Sequence, residues 1–143
     1  MYQQILIPVD LNENKLSDKA LKHAIWLAQH CHATLHLLNV VPGIHQSMVA
    51  TYFPKDAAQA MKHAAQQQLE QFAAQHIPAP ITYTTTIKEG KPYTTIIEHA
   101  QHLNADLIVL PSHKRSKVDK VMLGSVATKV AAHSPIHIMV IKP

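Results

Sequence analysis

Three short tracts in this chain combine residue types that can do chemistry. The first is Pro8-Val9-Asp10, a carboxylate placed directly after an apolar run. A carboxylate leaving the end of a strand can accept from an amine or from sugar hydroxyls; it can equally cap the loop that follows. The second is Leu110-Pro111-Ser112-His113-Lys114-Arg115, where a second apolar run gives way to a basic loop that continues through Lys117 and Lys120. Such charge suits phosphate oxygens, and it also suits a solvated loop. The third is Gly124-Ser125-Val126. A glycine and a hydroxyl at a helix start either cap the helix or let its free amides and dipole meet an anion.

Other reactive residue types form no comparable pattern. Of the 12 histidines, His30 and His32 bracket Cys31, His36 follows shortly after, and His133 and His137 straddle Pro135. None of these spacings is a helical H-E-x-x-H pair, so no metal site is expected. The single cysteine excludes an internal disulfide, and Cys31 at the end of an apolar helical face reads as a small core residue. Ser112 and Ser125 have His113 nearby, but nothing in the spacing orients it as a base, so no catalytic group is expected. Ligand binding is the expected activity, not turnover.

The elements that carry these tracts follow from apolar periodicity. Continuous apolar or β-branched runs at Ile5–Val9, Thr34–Val40, Ile81–Ile87, Asp106–Leu110 and Ile136–Ile141 read as strands. Between them lie four helical patterns. The first has Ser17 as its N-cap, Leu16 stapled on Leu21, and Ala20, Ala24, Leu27 or Ala28, and Cys31 recurring at helical spacing. The second starts at Asp56, with Ala57, Met61, Ala64, Gln68 or Leu69, and Phe72 on one side, and ends before Pro78. The third opens at Pro92, and the fourth follows Gly124-Ser125 with Val126 and Val130 on one face. Strict alternation of strand and helix predicts an α/β fold: an open, doubly wound, five-stranded parallel sheet with helices on both faces. In such sheets ligands bind beyond the carboxyl ends of the strands, where strand order reverses. Pro8 cannot donate to a ladder and marks the point where pairing of the first strand stops.

Size and composition agree. The 143 residues are 47% hydrophobic and 15% charged, a balance for one domain spanning 1–143 that buries roughly two-thirds of its unfolded surface. The net charge of +4 invites a nucleic-acid partner, but no aromatics interleave with the basic loop to stack bases, so nucleic acid is not expected. The start MYQQILIPVD has no basic n-region and no span-length apolar run, which predicts a cytoplasmic protein without a membrane partner.

The opening ILIPVD, the stretch LSDKALKHA, the late helix LGSVATKV and the S-P before IHIMVIKP resemble the universal stress proteins along the whole chain, most closely the short single-domain bacterial G/F-type branch. The resemblance implies a Rossmann-like, adenine nucleotide alpha hydrolase-like fold with strand order 3-2-1-4-5 and a crevice between strands one and four. It implies ATP or another adenine nucleotide as ligand, with adenine and ribose near Pro8, Val9, Asp10 and Val40. Phosphates would lie near Pro111, Ser112, His113, Lys114, Arg115, Gly124, Ser125 and Val126. Nucleotide-binding members carry G-x2-G-x9-G-(S/T). Here Gly124-Ser125 matches the last pair, while Pro111 and Lys114 replace the first two glycines. Proline offers no amide hydrogen, and lysine in left-handed geometry costs about 1 kcal/mol or more; Lys114 and Arg115 instead offer charge. The resemblance further implies a homodimer paired through the last strand, at Ile136, Ile138 and Val140, acting in stress response. Two other roles remain consistent with these residues: an interaction module without nucleotide, and a slow ATPase or self-phosphorylating protein.

Overall fold

A computed structural model of the chain describes residues 1–12, 14–41, 55–112 and 123–142. The elements are β1 (Gln4–Pro8), α1 (Asn14–Cys31), β2 (Thr34–Val41), α2 (Lys55–His76), β3 (Tyr83–Glu89), α3 (Pro92–His102), β4 (Leu107–Pro111), α4 (Ser125–His133) and β5 (His137–Ile141). All strand pairs are parallel, and the sheet order is β3-β2-β1-β4-β5. The strand order reverses between β1 and β4.

Alternation along the central strands divides the core into two layers, because successive side chains leave opposite faces of a strand. Ile5, Ile7, Leu35, Leu37, Leu107 and Val109 pack with Ala20, Leu21 and Ala24 of α1 and with Leu69, Phe72 and Ala73 of α2. Leu6, Leu38, Ile108 and Leu110 face the other way, onto Ile96 and Ala100 of α3 and Ala127 and Val130 of α4. Cys31 packs half-buried at the edge of the α1/α2 layer.

Several local expectations shift. Ser17 is not a helix cap: α1 begins at Asn14, and Ser17 lies within the helix, fully buried. The side chain of Leu16, expected as a staple, lies outside the described residues. Asp56 sits in the first turn of α2 instead of capping it, favourably placed against the helix dipole. Met61 is 54% exposed and Ala64 is exposed as well, so the inward face of α2 begins further along, at Ala65 and Leu69. The third strand starts two residues late because Ile81 closes a turn, its N–H donating to the Pro78 carbonyl at 3.1 Å. Gly90 has φ of 145° and leaves no room for a Cβ, which would stand 2.8 Å from Thr95 Oγ1. That glycine sets the sharp turn from β3 into α3.

The opening between β1 and β4 has a chemical cause. β1 pairs with β4 only at Ile5↔Leu107 and Leu6↔Ile108, whereas its pairing with β2 continues to Pro8↔Leu38. Peptide groups alternate sides along a strand: Gln4 O accepts from Asp106 N on the β4 side, and Val9 N donates to Leu38 O on the β2 side. Pro8 therefore turns its peptide toward β4, and the donor it lacks is the one that would have extended the β1–β4 ladder. β4 instead stays paired with β5 as far as Pro111↔Ile141, and Ser112 N adds one more bond to Ile141 O at 2.9 Å. The sheet splits at its carboxyl end. Among the described residues no helix is long and apolar enough to cross a membrane.

Candidate functional site at the strand ends

A cavity of about 690 Å³ occupies that split, within the usual range of small-molecule sites. Pro8, Val9, Asp10, Val40, Pro111, Gly124, Ser125 and Val126 all line it. Ser112 does not: its side chain is 0% exposed, and its hydroxyl has no hydrogen-bond partner. Its backbone N–H is bonded to Ile141 of β5. His113, Lys114 and Arg115 lie outside the described residues.

Asp10 is held by local bonds on every side. Its N–H donates to Ser17 Oγ at 3.1 Å, and the Ser17 hydroxyl donates back to the Asp10 carbonyl at 3.4 Å. The N–H of Asn12 donates to Asp10 Oδ1 at 2.9 Å, closing a turn through the side chain. Oδ2 receives no hydrogen bond from any described residue. One oxygen of Asp10 thus organises the loop, and the residue also lines the cavity.

Across the cavity, α4 presents its amino end. Gly124 occupies the N-cap position with φ −60° and ψ 162°, and no side chain caps the helix. The first helical bond runs from Thr128 N to Gly124 O at 3.0 Å. The amides of Ser125, Val126 and Ala127 precede it, so they have no partner within the helix, and all three residues line the cavity. Such an end attracts anions, each favourable charge contributing about 0.3–1 kcal/mol at an exposed site.

The rest of the wall carries residues that the sequence did not single out. From the α2 side come Ala58, Met61, Lys62, Ala65 and Gln68; from the strands come Leu38, Asn39, Val41, Glu89 and Leu110; α3 adds Pro92 and Ile96. Small and apolar positions dominate, with Asp10, Glu89 and Lys62 the charged residues among the described lining. Asn39 had one legible signal, a polar residue inside an apolar strand run. The Ala/Gln-rich face of α2 had none, because alanine suits a core, a surface and a ligand wall equally well. Among the described residues no three His, Cys, Asp or Glu side chains come together as metal ligands.

A parallel, doubly wound α/β sheet that splits at its strand-order reversal, with a carboxylate on one lip and a helix N-terminus on the other, is the architecture in which open α/β sheets place ligands beyond their strand ends. The sequence profile of the universal stress protein family matches residues 1–142, and the chain belongs to that family. It is 32% identical over 145 residues to universal stress protein G of Salmonella typhimurium, a match covering 99% of this chain and 100% of that protein. Universal stress protein UspA from Lactobacillus plantarum is 30% identical, with a TM-score of 0.70 and coverage of 98% of this chain and 97% of that one. The universal stress protein from Archaeoglobus fulgidus, solved in complex with dAMP, has a TM-score of 0.66 at 16% identity and covers 99% and 98% of the two chains.

Proposed function

We propose that this universal stress protein binds an adenine nucleotide, ATP foremost, in the cavity between the carboxyl ends of β1 and β4. The bound nucleotide serves a regulatory role in stress response instead of being turned over. The observation that carries this reading is the convergence of Asp10 and the free amides of Ser125 and Val126 on one largely apolar cavity of about 690 Å³. The apolar wall takes a base, the free oxygen of Asp10 accepts from ribose, and the amino end of α4 takes phosphate. The Archaeoglobus fulgidus protein of the same fold is recorded with dAMP, which supports a nucleotide of this class.

One feature favours a second reading. Pro111 lines the cavity without an N–H to offer, and Lys114 replaces the other motif glycine. A member with those changes acts as an interaction module without nucleotide if the N–H lost at Pro111 and the glycine freedom lost at Lys114 are decisive. Isothermal titration with ATP, ADP and AMP separates the two. Saturable heat at or below millimolar ligand supports the nucleotide reading, and no heat with no thermal shift supports the module. Hydrolysis and self-phosphorylation assays on the same samples are expected to stay at background.

We further propose a cytoplasmic homodimer paired through β5, which lies at the sheet edge. Ile136 and Ile138 pack onto the α3/α4 layer of their own chain, so the pairing surface is the backbone edge of β5 more than those two side chains. Ile141 O faces β4, so by alternation the peptide of Val140 faces outward. Val140→Pro therefore removes an edge donor while keeping the β4 ladder. A shift from dimer to monomer mass in solution is expected; a wild type that is monomeric at all concentrations contradicts the proposal.

A further inference from the structure

His36 and Leu38 alternate with Leu35 and Leu37 along β2, so the imidazole of His36 leaves the sheet on the face covered by α3 and α4. It is 7% exposed. Nε2 lies 2.6 Å from Gln4 Oε1 of β1, and Nδ1 lies 2.7 Å from Thr84 Oγ1 of β3. A carbonyl oxygen only accepts, so Nε2 carries the hydrogen and Nδ1 accepts from the threonine hydroxyl. The neutral ring is satisfied at both nitrogens. A second proton would bury a charge whose two bonded partners are both neutral, and that is costly.

His99 of α3 is half-buried nearby, its ring 6.5 Å from that of His102. Lys88 shares a face of β3 with Thr84 and Thr86. Burial holds both His36 and His99 below the ordinary value of 6.5, and for His99 the positive charges of Lys88, His102 and His36 add to it. The acids of neighbouring elements are placed elsewhere. Asp106 accepts from the backbone of Gln3 and Gln4, Glu98 is exposed on α3, and Glu89 lines the cavity. On the α4 side, Lys129 and His133 stand against Tyr93.

The helix above this cluster is lightly held. Ile96 and Ala100 are its buried residues, whereas α1 buries Ser17, Ala20, Leu21, Ala24 and Ala28. Two residues of positive φ bracket α3, Gly90 at 145° and Asn104 at 53°. Its first turns, at Pro92 and Ile96, line the cavity.

We propose that α3 is an acid-released wall of the cavity: proton uptake by His36 and His99 favours a state in which α3 undocks from the sheet, the chain turning at Gly90 and Asn104, and Ile96 leaves the wall. The undocked state returns both imidazoles to water and so binds protons better than the docked one. Docking is therefore full above about pH 6.5 and is lost progressively below it. Each histidine shifts the balance by up to about tenfold between pH 7.5 and 5.5, the limit reached when the docked state takes up no proton. The device needs no particular ligand in the cavity.

Native-state amide exchange of the full chain by nuclear magnetic resonance, at pH 7.5 and 5.5 and corrected for intrinsic rates, tests this. Protection of Ile96, Ile97 and Ala100 should fall about ten- to hundredfold with acid, through an opening that low urea barely promotes. Ala24 and Ala28 of α1 should stay better protected at both pH values and respond to urea as global unfolding does. Unchanged protection in α3 overturns the proposal. So does equal protection of α3 and α1 with the same urea dependence at pH 5.5, because release is then only unfolding of the whole. In His36→Gln/His99→Gln the acid response of α3 should shrink to within about threefold, and in His99→Gln alone to about tenfold or less. A folded variant of either kind that keeps the full response contradicts the assignment, and the wild-type comparison decides if neither folds.

Discussion

The two ends of the sheet use an aspartate in opposite ways. At the amino end, Asp106 accepts from the N–H of Gln3 at 2.8 Å and from that of Gln4 at 3.2 and 3.3 Å. Asp106 N donates to Gln4 O and Thr34 N to Gln3 O, both at 2.9 Å. There the strands close on one another, and the carboxylate completes the closure. At the carboxyl end Pro8 withholds a donor, β1 and β4 part, and Asp10 keeps an oxygen free beside a cavity. The same carboxylate chemistry completes the ladder at one end and, in the proposed site, would serve recognition at the end where the ladder is broken.

The contrast makes predictions, strongest first. Gly124→Val should weaken nucleotide binding by at least about 100-fold, because a branched side chain would stand between the ligand and the α4 amides. Its φ of −60° suits any residue, so the variant tests close approach and not backbone strain, and its melting temperature should stay close to wild type. A folded variant with unchanged affinity would place the phosphates elsewhere.

The two aspartates should then separate cleanly. Asp106→Ala should cost about 1–3 kcal/mol of stability by leaving backbone donors without their acceptor, with affinity per folded molecule unchanged. Asp10→Ala should lower affinity about tenfold while costing less than about 1 kcal/mol of stability. Denaturant melts and titrations on both proteins check this; affinity loss at Asp106 or stability loss alone at Asp10 would merge the two roles.

The smallest effect concerns pH. His36 is buried between strands, with Nδ1 2.7 Å from Thr84 Oγ1 and Nε2 2.6 Å from Gln4 Oε1. Burial holds it below the ordinary value of 6.5. His99 on α3 is lowered too, first by burial and then by the positive charge of Lys88, His102 and His36. The unfolded chain takes up protons near 6.5 that the folded chain resists, so stability is full above that pH and falls below it. Melting temperature should therefore drop between about pH 7.5 and 5.5, and His36→Gln should flatten the slope. An unchanged slope would assign the acid sensitivity to other groups.

Much of this was legible in the sequence, for reasons that differ by element. The five strands show as continuous apolar runs because parallel strands are covered on both faces, and Pro92 marks the α3 start through its fixed φ and missing donor. The strand order was not in the periodicity; it came with the family resemblance. Ser17 misled because a serine before an apolar helical face looks like a cap; its actual partner, the backbone of Asp10, is seven residues upstream and invisible to local rules. Met61 and Ala64 misled because the first turns of α2 face a cavity instead of a core. Asp10, Gly124 and Ser125, which line the cavity, were singled out by chemistry that is local. Asn39 was missed because its bond is to the carbonyl of Val9, thirty positions away, and because it lines a cavity that exists only once β1 and β4 diverge.

The most direct measurement is amide chemical-shift mapping by nuclear magnetic resonance during titration with ATP. Shifts confined to Val9, Asp10, Val40, Ser125 and Val126, with Gln3, Thr34 and Asp106 at the closed end unmoved, are the predicted result. Absence of any saturable shift, or shifts centred on the Asp106 end, would contradict the account.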